Sequence, residues 1–138
     1  MAAKDKFHGA VRRALEKDGW IVTDDPYILK IGGRRQKIDL GAEKIISAQR
    51  DGEKIAVEVK SFLGDSPLND FYEALGQFLA YNTGLELQEP DRYLYLAISH
   101  RTHQVFEKYE LMRLLIVKHE VRLIVFDPFV EKIELWQI

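Results

Sequence analysis

The feature that most constrains the fold is a hairpin signal near the middle of the chain. Asp51-Gly52 stands between two runs of extended character, "IDLGAEKIISAQ" and "KIAVEVKSF". Asp-Gly between such runs is typical of a tight two-residue turn, because both turn positions need a positive φ. The pattern predicts an antiparallel pair of strands, which excludes a sheet made of parallel strands alone.

Three segments outside this hairpin show helical patterns. The first, over about residues 4–18, carries an apolar stripe at helical spacing. The second begins with Ser66 as N-cap and Pro67 in the first turn, and it extends to about Leu87. The third covers about residues 104–119. Its predicted inner face consists of Leu111, Leu114 and Leu115, with Val105 as a further candidate.

Three further segments have the character of strands. "RYLYLAISH" and "VRLIVFD" are apolar enough to be covered on both faces, and "KIELWQI" is predicted to be a short edge strand. Helices separated by strands in this order favour helices on both sides of a mixed sheet. We therefore predict an α/β protein, specifically a three-layer α/β/α sandwich with a central mixed sheet.

Composition limits the domain count and the cellular setting. The 138 residues are 46% hydrophobic and 30% charged, as expected for one globular domain over residues 1–138. The chain has no cysteine, and no apolar run suggests a signal peptide or a membrane span, so we expect a cytoplasmic protein. The net charge of −2 predicts that any contact with DNA uses a local basic patch.

Asp39, Glu58 and Lys60 are the residues most suited to chemistry. Glu58 and Lys60 alternate with Val57 and Val59, so they share one face of a strand. Two carboxylates can hold Mg²⁺ or Mn²⁺, and a nearby lysine can orient the attacking water or stabilise charge on a phosphoryl group. The alternative is an ordinary ion pair on a solvated sheet, worth about 0–1 kcal/mol.

Whether the carboxylates of Asp39 and Glu58 can lie close together depends on the register of the hairpin. A tight turn pairs Arg50 with Glu53, and continuing that register would place Asp39 opposite Gly64. Bringing Asp39 to Glu58 requires an asymmetric or bulged hairpin. Gly41 is the predicted position of such a bulge.

Asp39 followed by "VEVKSF", with Glu58-x-Lys60 on a strand and then a helix, resembles the PD-(D/E)xK nuclease superfamily. That helix contains Gln77-x-x-x-Tyr81, similar to a motif that contacts the active site and DNA in some branches. The resemblance implies a restriction-endonuclease-like αβββαβ core, with Asp39 and Glu58 as metal ligands. It also implies catalytic roles for Lys60, Gln77 and Tyr81. The proline that precedes the aspartate in the superfamily is absent here.

Almost the whole chain also resembles a narrower family. "KDKFHGAVRRALEKDGW", "TDDPY", "IAVEVKSF", "ALGQFLAY" and "LIVFDP" are similar to the XisH family of cyanobacteria. The resemblance implies a factor for excision of a DNA element, such as the fdxN element, during heterocyst differentiation. An XisI-type protein and a separate recombinase would be its partners. Nuclease chemistry in such a DNA-recombination factor is an interpretation of the residues. The alternatives are a non-catalytic module that binds XisI or DNA, and a toxin–antitoxin or phage-defence pairing.

Other polar residues are weaker candidates. Arg34, Arg35 and Lys37 could grip DNA beside Asp39, or could form a solvated basic turn. His8 could reach the metal site, Glu16 and Glu73 could supply a third carboxylate, and Glu43 could lie in the cleft. Packing or solvation is the default interpretation of all four. The histidines at positions 100, 103 and 119 show no ligand spacing to one another. A homodimer joined through the terminal strand is a further expectation, because two active sites can then cut both strands of a duplex.

Overall fold

The computed structural model describes residues 6–30, 45–62 and 64–138. Within these residues the chain forms a mixed α/β fold of four helices and six strands. The elements, in chain order, are α1 (His8–Lys17), β1 (Ile21–Asp24), β2 (Ile45–Arg50), β3 (Glu53–Val59), α2 (Pro67–Gln88), β4 (Arg92–Ser99), α3 (His100–Lys108), α4 (Glu110–Lys118), β5 (Leu123–Asp127) and β6 (Lys132–Gln137).

The described strands form one mixed sheet in the order β1-β2-β3-β4-β5-β6. Strands β3, β4 and β5 are parallel, and the other neighbours are antiparallel. Asp51 and Gly52 have φ values of 51° and 83°, and Arg50 pairs with Glu53. The predicted mixed sheet and its tight hairpin are therefore confirmed, and β6 lies at the predicted edge.

Alternate residues of β3 belong to two separate cores. Val57 and Val59 pack with Val11 and Leu15 of α1. Ala56 packs in the other core, which contains buried residues of α2, α3 and α4. Because successive strand residues point to opposite faces, Glu58 shares the face of Ala56. We call this side of the sheet the α2 face.

Helix α1 is fastened to the C-terminal strand and its flanking turn. The guanidinium of Arg13 donates to both carboxylate oxygens of Glu131, with Nε 2.9 Å from each. The rings of Trp20, just after the helix, and Trp136 lie 5.5 Å apart. The first helix of the chain therefore completes its packing against the last strand.

The link from β3 to α2 is short and closely packed. Ser66 is the N-cap predicted from sequence, and its Oγ accepts a hydrogen bond from the backbone N–H of Asn69 at 3.3 Å. The backbone N–H of Gly64 donates to Asp70 Oδ2 at 3.0 Å. A Cβ at position 64 would lie 2.5 Å from that oxygen, so a larger residue there would displace the Asp70 carboxylate. These bonds set where α2 begins relative to the end of β3.

The prediction of one helix over about residues 104–119 is wrong. Tyr109 has φ −107° and ψ 111°, which separates α3 from α4. Phe106 and Met112 are both buried in the core on the α2 face, one contributed by α3 and the other by α4. The break also turns the predicted inner residues Leu111 and Leu114 outward, where they are 49% and 58% exposed.

A polar network fastens the segment after β1 to the end of α2. Tyr27 OH donates to Glu89 Oε1 at 2.7 Å, and Arg92 Nε donates to the same oxygen at 2.8 Å. The backbone N–H of Tyr27 also donates to the carbonyl of Ile45 at 2.7 Å. Hydrogen bonding from Arg92 lowers the pKa of Glu89, with Tyr27 contributing in the same direction.

The hydrogen bonds of Glu89 predict how the free energy of unfolding depends on pH. A carboxylate with a depressed pKa in the folded state stabilises the protein above its unfolded value near 4.5, and the stabilisation is lost as pH falls below that value. We expect Glu89→Gln to lower the free energy of unfolding at pH 7 and the deficit to shrink as pH falls from about 4.5. Urea unfolding at several pH values measures this. Tyr27→Phe, which leaves Arg92 in place, should keep most of the pH dependence. If Glu89→Gln lowers the free energy of unfolding as much at pH 3 as at pH 7, the prediction is wrong.

Candidate active site

Glu58 is the central residue of the candidate site. It lies in β3, where it pairs with Ile45 of β2 and Leu96 of β4, and its exposure is 0%. Burying a carboxylate is costly unless other groups compensate it. Glu58 therefore differs from the glutamate of a solvated surface pair, and its position on the α2 face directs it toward the helix that follows.

Lys60 lies just beyond the end of β3 and is half-buried. Its backbone N–H donates to the carbonyl of Ala97 at 3.1 Å, which extends the β3–β4 pairing by one residue. By strand alternation, its side chain points to the same side of the sheet as that of Glu58. The carboxylate and the ammonium group thus leave β3 on the face predicted from sequence.

Gln77 and Tyr81 lie on α2, one turn apart, and so face the same direction. Tyr81 is 3% exposed and packs in the core cluster that contains Ala56, the strand neighbour of Glu58 on that face. Among the described residues, the buried Oε1 of Gln77 has no hydrogen-bond partner. A buried amide oxygen without a partner is rare and consistent with a role toward a ligand.

Asp39 and four other candidates lie outside the described residues: Arg34, Arg35, Lys37 and Glu43. The proposed bulge at Gly41 does so as well. Within the described part, the β2–β3 register is regular from Ile45↔Glu58 to Arg50↔Glu53. The sequence-based role of Asp39 therefore stays a prediction.

The other helical candidates make contacts of their own. His8 is buried, and its Nε2 lies 2.7 Å from Asp25 Oδ1. Arg12 donates to the second oxygen of Asp25 at 2.9 Å. These bonds hold α1 against the end of β1. Glu16 and Glu73 are exposed, as expected by default for their helical positions.

A sequence model of the XisH protein family matches residues 1–134. The chain belongs to the XisH family. It is similar to the crystal structure of an XisH family protein from Nostoc punctiforme, with 41% identity and a TM-score of 0.87. That match covers 97% of this chain and all of the other. A second similar structure is that of an fdxN element excision controlling factor protein from Anabaena variabilis. It is 42% identical, with a TM-score of 0.85 and coverage of 96% of this chain and 98% of the other.

No protein with a curated description matches this XisH-family chain. The family resemblance inferred from sequence motifs is nevertheless confirmed by the family match and by both structures. In the described part of the chain, no helix is both long and apolar enough to cross a membrane.

In this XisH-family fold, the structure shows three hydrogen-bonded polar residues that the sequence analysis missed: Thr23, Asp24 and Ser47. Ser47 is fully buried, and its Oγ lies 3.0 Å from Asp24 Oδ2. A bulge in β1 places both Thr23 and Asp24 against Ser47, and Thr23 Oγ1 lies 2.7 Å from the serine Oγ. The only sequence feature that pointed to this polar group was the serine within the apolar run "IISA", and it did not predict the bulge in β1.

Proposed function

We propose that this protein is an excision controlling factor of the XisH type that cleaves or processes DNA during programmed rearrangement. Its fold would be a restriction-endonuclease-like three-layer sandwich with a PD-(D/E)xK-type site. The observation that carries the proposal is the fully buried carboxylate of Glu58, two residues before Lys60, on the sheet face covered by α2. The motif residues Gln77 and Tyr81 lie on that helix.

The described residues fit a metal that prefers oxygen ligands. Glu58 supplies a buried carboxylate, and Gln77 supplies a buried amide oxygen that lacks a partner among the described residues. Asp39, the second proposed ligand, precedes Ile45 by six residues, which span at most about 22 Å when extended. Because Ile45 pairs with Glu58, a chain that turns back near Gly41 can bring Asp39 to the site. Bound Mg²⁺ or Mn²⁺ would lower the pKa of a water molecule and neutralise phosphate charge.

Each residue then has a distinct role. The Lys60 ammonium group orients the attacking water and stabilises negative charge on the scissile phosphate. Gln77 and Tyr81 position the DNA strand. Arg34, Arg35 and Lys37 bind the phosphate backbone, which supplies the local positive charge that a protein of net charge −2 needs.

The test is a cleavage assay with the purified protein. Nicked, branched and intact duplex DNA would each be incubated with Mg²⁺ or Mn²⁺, with and without an XisI-type protein. We expect cleavage of at least one substrate that depends on the metal and stops with chelator. If no substrate is cut under any of these conditions, the proposed nuclease activity is wrong.

A second candidate function is a non-catalytic accessory module that acts with an XisI-type protein and a recombinase. The exposed apolar side of α4 favours it, because Leu114 and Val117 are 58% and 75% exposed. Adjacent exposed apolar residues are typical of protein-interaction surfaces. The outer edge of β6, which pairs with no other strand in the described part of the chain, would serve a homodimer in the same assembly. Stable co-purification with an XisI-type protein, without cleavage of any DNA, would favour this function over the first.

A further inference from the structure

A second cluster of metal-binding side chains lies at the C-terminal ends of β4 and β5, near the β6 edge of the sheet. His100 is the first residue of α3, immediately after β4. Ser99 at the end of β4 pairs with Phe126 of β5, which places His100 beside Asp127 at the end of β5. Glu134 approaches from β6, so three separate elements contribute to the cluster.

A bulge in β6 explains the position of Glu134. Val125 pairs with Leu135, but the next residue, Phe126, pairs with Ile133. Glu134 is therefore the inserted residue, without a partner of its own in the β5–β6 ladder. Bulges change the direction of side chains and occur preferentially at sheet edges and next to functional sites.

The cluster has the geometry and charge of a cation site. His100 Nδ1 lies 3.4 Å from Glu134 Oε2 and 3.8 Å from Asp127 Oδ2, and the three ligand atoms all lie within 4.8 Å of one another. In the described part of the chain, no lysine or arginine lies within 4.0 Å of either carboxylate. Two carboxylates thus converge on one imidazole nitrogen, which can form a strong hydrogen bond with only one of them.

We propose that His100, Asp127 and Glu134 bind a divalent first-row transition metal ion such as Zn²⁺ or Mn²⁺. Ligands at about 2.0–2.1 Å from a tetrahedral Zn²⁺ lie roughly 3.4 Å apart, and the His100–Glu134 pair already has this separation. An imidazole nitrogen with carboxylate oxygens suits such ions, whereas Mg²⁺ and Ca²⁺ prefer oxygen ligands alone. The site shares no residue with the one proposed at Glu58.

A neighbouring cavity indicates what the bound ion contacts. His100 lines a cavity of about 540 Å³ together with Lys6, Arg101, Phe62 and Phe129. Three protein ligands leave a coordination position for water or for a ligand that enters through this cavity. The two cationic side chains favour an anion there, such as a phosphate group.

The test is a titration of the full chain with Zn²⁺ alone, followed by calorimetry, and with Co²⁺, followed by its visible absorption. We expect a Zn²⁺ site whose affinity falls at least about tenfold in His100→Ala and in Glu134→Gln, because even an outer partner of a metal ligand is worth about 10- to 100-fold. His103→Ala is the matched control on the same helix and should keep the site. His103 Nε2 instead lies 3.1 Å from Gln137 Oε1.

Glu58→Gln separates this inference from the proposed nuclease site. If the Zn²⁺ site is at His100, its affinity stays unchanged in Glu58→Gln, whether or not that variant cleaves DNA. Circular dichroism of each variant confirms that its fold is intact. Equal Zn²⁺ affinity in the wild type and in folded His100→Ala would overturn the inference, as would the absence of Zn²⁺ binding at millimolar concentration.

Discussion

The proposed metal-dependent DNA cleavage is expected to fall at least about a hundredfold when Glu58 is replaced by glutamine. A metal ion contributes several kcal/mol to stabilising the charge in phosphoryl transfer, and each 1.36 kcal/mol corresponds to a tenfold change in rate. Glutamine has nearly the shape of glutamate, so it preserves packing at this fully buried position while removing the charge. The initial cleavage rate at saturating Mn²⁺ is the measurement.

Two further variants make this result specific. Glu53→Gln changes an exposed glutamate on the same strand and should leave the cleavage rate unchanged. Lys60→Met should lower the rate without weakening metal binding, since the ammonium group acts on water and phosphate. Unchanged cleavage by folded Glu58→Gln would remove this residue from the mechanism.

Phe106→Ala is expected to lower the free energy of unfolding by about 3–5 kcal/mol. Phe106 is 1% exposed, and its ring lies 5.1 Å from that of Phe62 and 5.0 Å from that of Phe71. Its removal leaves a cavity between α3, α2 and the segment after β3. Denaturant unfolding measures the loss, and the control Phe129→Ala, at a position 88% exposed, should change stability by less than about 0.5 kcal/mol.

The same substitution tests how the candidate site is supported. Phe62 has a φ of 53°, uncommon for an aromatic residue, and it lies two residues after Lys60. Packing against Phe106 helps to hold it in that conformation. We therefore expect Phe106→Ala to lower any cleavage activity even where the variant remains folded. If Phe106→Ala lowers the free energy of unfolding by less than about 1 kcal/mol, the three rings do not form a shared core.

Local sequence signals predicted the features that depend on neighbouring residues. Asp51-Gly52 specified the hairpin because few dipeptides accept positive φ at both positions. Ser66-Pro67 located the start of α2 because the cap and the ring constraint act within one turn. Alternation along β3 placed Glu58 opposite Val57 and Val59.

Features set by distant contacts were missed. The break at Tyr109 gives α3 and α4 separate contacts with one core through Phe106 and Met112, and no short window reveals this arrangement. The bulge at Glu134 arises from pairing between β5 and β6. Residue spacing along the sequence therefore did not predict that His100 lies near two carboxylates. Asp39 remains a prediction because its role depends on how the chain before Ile45 returns to Glu58.

The attachment of α1 to β6 has a consequence for synthesis on the ribosome. Strand order in the sheet follows chain order, so each newly emerged strand can add to an open edge without displacing an earlier one. Helix α1 is the exception, since Arg13 and Trp20 contact Glu131 and Trp136, which are translated after the first five strands. The packing of α1 is therefore complete only after β6 has been translated.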